Sequence, residues 1–203
     1  QLISNFLRIK EDSFVIELGS NDGIMLKHFK NSGIPHLGIE PSKNVADVAK
    51  KEGINTISEF FNESLADHIL EKHGKANIIF AANVMCHIPD LNSVFAGIAK
   101  LLTEDGILAF EDPYLGDMLE KVSYDQIYDE HIYIFSASSV SSLCERHDLE
   151  LIDVIPQPTH GGSMRYFIAH KGSHKISKNV HQILEIEEKN GFKDPATYIR
   201  FKN

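Results

Sequence analysis

The sequence predicts an α/β fold: a mostly parallel sheet with helices on both faces and an antiparallel hairpin at its end. Three observations predict it. From Ser13 to about Asp112, short apolar runs alternate with stretches of helical periodicity, the pattern of parallel strands joined by crossover helices. After Pro113 that rhythm breaks. Two more apolar runs, "LELIDVIPQ" and "SMRYFIAHK", are then separated only by the glycine-bearing link "PTHGG", so they should pair antiparallel.

In chain order, "SFVIEL" reads as the first strand and "DGIMLKHFKNSG" as a helix closed by a glycine. "HLGIEP" is the second strand, stopped by Pro41. "SKNVADVAKKEG" is a helix with Ser42 as N-cap and Gly53 beyond its end. "INTISEFF" is expected as the third strand and "NESLADHILEKHG" as the helix after it. "ANIIFAANV" is the fourth strand, "DLNSVFAGIAKLLTEDG" a helix and "GILAFEDP" the fifth strand. "YLGDMLEKVSYDQIYDEHIYIF" is rich in tyrosine and acid, and "SASSVSSLCERHD" is a helix capped by a serine. The hairpin follows, then a tail with the helical "NVHQILEIEEKN". We expect one α/β domain over residues 1–171 and a helical extension over 172–203 that begins a further domain. "QLISNFLRIK" is amphipathic and lacks an initiator methionine, so the chain reads as a fragment cut just before a domain.

Bulk properties narrow the function. At 203 residues and 42% hydrophobic, the chain suits one cored domain with an appendage. A formal net charge of -9 argues against a nucleic-acid surface or an anionic membrane surface, and leaves a small-molecule ligand open. Cys86 and Cys144 sit in unlike contexts and form neither a disulfide framework nor a zinc motif; a reducing cytoplasm is the simple reading. No signal peptide is visible, and no apolar run approaches the roughly 20 residues that span a bilayer.

The chemistry starts at the first strand-to-helix turn. Gly19, Ser20, Asn21, Asp22 and Gly23 do not match the G-x-G-x-x-G spacing of dinucleotide folds, although asparagine at position 21 tolerates a left-handed backbone and keeps the turn tight. Glu17 is more telling. A carboxylate beside the turn repels a pyrophosphate and attracts a cationic amino group. S-adenosylmethionine has an amino-acid tail, a sulfonium charge and no phosphate. Glu40 ends the second strand, where a carboxylate can accept from ribose hydroxyls. Phe60 and Phe61 can cover an adenine and Asn83 can close the pocket, with Ser20 and Pro41 at its turns. The competing readings are an ordinary turn for the glycines and core packing for either phenylalanine.

This pattern resembles the class I S-adenosylmethionine-dependent methyltransferases, whose motif is similar to E-x-G-x-G-x-G and departs here at Asn21. The resemblance implies a Rossmann-like sheet of seven strands, with the sixth and seventh meeting at the edge that holds the cofactor. More narrowly, "ELGSNDG", "AANVMCHIPD", "EDPYLGDMLEKVSYDQIYDEHIYIFS" and "HGGSMRY" resemble the sugar C-methyltransferases, which act on nucleotide-linked keto-deoxyhexoses. Members also carry an N-terminal zinc-binding domain and a C-terminal domain that helps hold the nucleotide sugar, neither of which is visible here. The resemblance implies His131 as the base that makes an enolate, with Glu130, Tyr128 and His87 near the substrate. Read alone, each has a plainer alternative: His87 a hydrogen-bonded structural residue, Tyr128 a core residue, Glu130 a solvated charge and His131 an ordinary surface histidine. Tyr114 and His160 are expected at the same edge, toward the sugar; Gly161 and Gly162 let backbone approach a ligand. No metal ligand set is expected. Transfer to oxygen or nitrogen, a non-catalytic cofactor-binding scaffold and a nicotinamide-linked oxidoreductase are the alternatives.

Overall fold

The computed structural model describes residues 9–10 and 12–202, so most of "QLISNFLRIK" lies outside the described residues. Seven strands form one sheet in the order β3-β2-β1-β4-β5-β7-β6. β1 (Val15–Leu18), β2 (His36–Ile39), β3 (Thr56–Ile57), β4 (Ala76–Ala82) and β5 (Leu102–Pro113) are mutually parallel. β7 (Ser163–His170) runs antiparallel between β5 and β6 (Leu149–Gln157), closing the predicted hairpin. Among the described residues no helix is long and apolar enough to cross a membrane.

The crossovers are α1 (Leu26–Asn31), α2 (Lys43–Lys51), α3 (Glu63–His73) and α4 (Leu91–Leu101). Local chemistry sets several of their ends. Asn62 and Asp90 accept the backbone N–H of Leu65 and Ser93 and so cap α3 and α4. Ser42 stands at the N-cap of α2 as expected, but its side chain does not cap; its own N–H goes to Glu40 Oε1 at 2.8 Å. After β5 come α5 (Leu115–Lys121), α6 (Ala137–Glu145), α7 (Lys178–Lys189) and α8 (Pro195–Lys202). Ser136 caps α6 in a reciprocal capping box with Ser139.

Three boundaries differ from expectation. The first helix begins only at Leu26, after a turn through residues 21–25. The third strand pairs only through Thr56 and Ile57, because it lies at the sheet edge and its chain then leaves toward α3; Phe60 and Phe61 therefore stand beyond it. The stretch "TEDG" leaves the helix and joins β5. Strand pairing begins at Leu102 and skips from there to Ile107, a bulge that accommodates a local turn in which Thr103 Oγ1 donates to Asp105.

Core packing follows from the alternation along each strand. Ile16, Leu18, Leu37, Ile79, Phe95, Phe110 and Tyr166 belong to one apolar cluster; Val15, Ile54, Ile78, Phe80 and Phe167 form a second. The helical extension is packed rather than free: Val180 and Phe192 join the first cluster. Its Glu187 is 1% exposed and accepts from Ala137 N (2.6 Å), Ser138 N (2.8 Å) and Tyr114 Oη (3.0 Å).

Candidate active site

A cavity of about 250 Å³ opens at the carboxyl ends of β1, β2 and β4, lined by Leu18, Gly19, Ile39, Glu40, Pro41, Phe60, Phe61, Asn83, Val84, His87, Ile88 and Pro89. Its floor is the predicted turn. Gly19 has φ +67°, and a Cβ there would lie 2.4 Å from Val84 Cγ2. Asn21 adopts φ 51°, the left-handed conformation its side chain tolerates, and its N–H donates to Glu40 Oε2 at 3.0 Å. Glu40 thus anchors the turns after both strands through one N–H per oxygen, and each oxygen keeps a lone pair for a hydroxyl.

Glu17 stands on the first strand two residues before Gly19; it is buried and is not among the residues that line the cavity. Its Oε2 has no hydrogen-bond partner, and burial, then the nearby Asp22 charge, raises its pKa to about 7. A buried carboxyl in want of a donor is the fit expected of a site that receives an ammonium. Both phenylalanines line the cavity: Phe60, 77% exposed, offers a free aromatic face, and Phe61 is buried with its ring end against Gly97. Glu40 and Phe60 at the cavity, with the unpartnered Glu17 two residues before Gly19, are the groups that could hold the ribose, adenine and amino parts of S-adenosylmethionine.

His87 joins this cavity to a second group of side chains. Its ring centroid lies 5.1 Å from that of His131, and its Nδ1 is 2.7 Å from the Glu130 carbonyl. His131 Nδ1 lies 2.9 Å from the Gln126 carbonyl, which fixes Nδ1 as the donor and leaves the Nε2 lone pair to accept from Tyr128 Oη at 2.8 Å. Desolvation, then the neighbouring Cys86 and Glu130, hold the Tyr128 phenol above its ordinary value, so it is a neutral donor. The loop is pinned below: Ile132 and Tyr133 donate their N–H groups to the Cys86 carbonyl. Burial, with Asp112 alongside, pushes the Cys86 thiol up, and burial raises Asp112 itself to about 6.

The link between β6 and β7 reaches the same rim. His160 Nε2 meets Asn83 Nδ2 at 3.0 Å, and both residues have positive φ. Glu111 holds the link by accepting from Thr159 Oγ1 and from Arg165. The hairpin itself, however, is not the edge that bears the cavity; β7 is separated from β1 by β5 and β4. Tyr114 also departs from expectation. It is 6% exposed and its hydroxyl donates to Glu187, so it faces the core instead of the cleft. Ser20 is buried beneath the turn, against Gly38, rather than lining the cavity. Glu130 is exposed and contributes its carbonyl to His87. Sequence reasoning misses Val84, Ile88 and Pro89 as cavity walls, and Asp112, whose one signal is an acid inside the apolar run "ILAFEDP".

Fold and site define a class: an α/β methyltransferase domain whose cofactor is S-adenosylmethionine. Comparison with known proteins makes it particular. The chain belongs to the methyltransferase domain family, whose family model matches residues 1–154, and residues 158–203 match the C-methyltransferase C-terminal domain. The first match ends within β6 and the second begins at the β6–β7 link, ahead of residue 172, where the sequence predicts the start of a further domain. The chain is similar to C-methyltransferase NovU of Streptomyces niveus, 34% identical over 194 residues, covering 95% of this chain and 46% of that protein. It thus spans about half the length of that relative. A ubiquinone biosynthesis O-methyltransferase of Bartonella quintana is 23% identical over 48% of this chain and 40% of its own. Among solved structures, a SAM-dependent methyltransferase from Anabaena variabilis superposes with a TM-score of 0.62 at 19% identity, covering 83% of this chain and 82% of that one.

Proposed function

We propose that the chain is the cofactor-binding and catalytic part of a C-methyltransferase acting on a small ketone-bearing substrate, a nucleotide-linked keto-deoxysugar. The observation that carries this reading is the continuity of the cofactor cavity with the His87–His131–Tyr128 group through His87. S-adenosylmethionine, when bound, supplies an electrophilic methyl group; Glu17, Glu40 and Phe60 would hold it, with Asn21, Pro41 and Asn83 bounding the site.

Carbon attacks only once it is carbanion-like, so a proton next to a ketone must leave first. His131 suits proton removal, since its Nδ1–H is tied to a carbonyl and its basic Nε2 faces outward to Tyr128. Substrate would replace the Tyr128 hydroxyl at Nε2, freeing that hydroxyl to donate to the enolate oxygen. His87, with Nδ1 held by the Glu130 carbonyl, is placed between base and cofactor to orient substrate. His160, held by Asn83, stands over the same rim as a sugar contact. The similarity to a C-methyltransferase in both matched regions favours carbon over oxygen as the acceptor.

Deuterium exchange tests the base. Full-length protein with substrate and S-adenosylhomocysteine should wash out the proton next to the ketone. His131→Ala should slow that exchange by at least about a hundredfold, the usual share of a positioned base. Exchange at an unchanged rate in the variant would remove His131 from the role.

A further inference from the structure

We infer that Cys86, His87 and His131 form an open three-ligand site for a thiophilic divalent cation such as zinc. One ligand atom from each side chain lies within 4.8 Å of the other two. Zinc bonds of about 2.0–2.3 Å place tetrahedral ligands roughly 3.3–3.8 Å apart, so the three atoms must close by roughly 1 Å, within reach of side-chain rotation. A thiolate with two imidazoles selects zinc, cobalt or cadmium over magnesium or calcium.

The surroundings are those of a ligand set. Each histidine has its Nδ1 on a backbone carbonyl, His87 on Glu130 at 2.7 Å and His131 on Gln126 at 2.9 Å. That arrangement fixes the tautomer with Nε2 free to bind metal. A second, independent observation points to a cation. Asp112 is fully buried beside Cys86, and its Oδ2 has no hydrogen-bond partner. Its Oδ1 accepts from Cys86 N at 3.4 Å, so a buried carboxyl group sits directly behind the thiol. On binding, the thiol proton leaves to solvent as the sulfur–metal bond forms, and Tyr128 yields His131 Nε2 to the ion. The fourth position would be open toward the cleft. An occupied site takes the lone pair that proton abstraction needs, so the ion would switch off the proposed reaction; the binding itself does not rest on that reading.

Cobalt(II) reports the site by spectroscopy, without turnover. Titrated into metal-free protein, it should give a thiolate-to-cobalt charge-transfer band saturating at one equivalent, which one equivalent of zinc abolishes. Cys144→Ser should keep the band. Cys86→Ser, checked for folding by circular dichroism, should lose it. His87→Ala and His131→Ala should each weaken cobalt binding more than tenfold. No thiolate band at excess cobalt, a band that survives in Cys86→Ser, or one lost instead in Cys144→Ser would overturn the inference.

Discussion

In the proposed reading, Glu17 couples fold to function. Its folded pKa of about 7 lies above the ordinary 4.5, so the fold favours the protonated form. The contribution to stability is full below about 4.5 and is lost as pH rises through 7. Glu17→Gln should therefore stabilise the ligand-free protein at pH 8 by on the order of 2–3 kcal/mol, read as a higher thermal midpoint, while abolishing cofactor binding. Receiving an ammonium requires the ionised carboxylate. Binding of S-adenosylmethionine at pH 6 should thus release roughly one proton, measurable as a dependence of calorimetric heat on buffer ionisation enthalpy. Heat independent of buffer would contradict that coupling. Tyr128→Phe keeps the ring beside His131 and removes only the hydroxyl, so it should lower kcat about tenfold to a hundredfold and leave cofactor affinity unchanged.

Among the elements, the strand-end turns carry the site and the capped helices hold it still. Gly19→Ala forces a Cβ into Val84 at a positive φ, which should cost about 2 kcal/mol and close the cavity floor; differential scanning calorimetry and ligand titration read the two effects separately. Glu187→Ala takes the acceptor from two N–H groups of α6 and from Tyr114. It should cost on the order of 3 kcal/mol although the residue lies in the extension, away from the cavity. What the sequence makes legible follows the same division. Period and punctuation find the order of the strands, the capping serine of α6 and the hairpin, because apolar alternation and glycine act locally. Local signals also place Asn21 and Glu17 at the first turn. Tyr114 is misread because its partner, Glu187, is 73 positions away, and no local signal announces a contact of that range. The short third strand is misread because pairing stops where the sheet edge ends, a property of the neighbour and not of "INTISEFF". His87 draws notice for following a strand; that it bridges cavity and His131 depends on a loop 43 residues on, through the Glu130 carbonyl.

Across the full chain, the sheet order sets where chemistry can happen. β1 and β4 lie side by side mid-sheet, and their carboxyl ends bring Gly19, Asn83 and His87 to one cavity, while the loop after α5 lays His131 against it. The net charge of -9 gives no general attraction for anions, so selectivity must come from local groups. In the proposed reading that selectivity rests on the buried Glu17 carboxylate, which would favour a cationic, phosphate-free adenosyl donor. Isothermal titration of the protein with S-adenosylhomocysteine and, separately, with NADH decides whether it does. One equivalent of S-adenosylhomocysteine should bind, NADH should not, and the first should be lost in Glu17→Gln. Tight NADH binding without S-adenosylhomocysteine binding, or unaltered S-adenosylhomocysteine affinity in that variant, would refute the role given to Glu17.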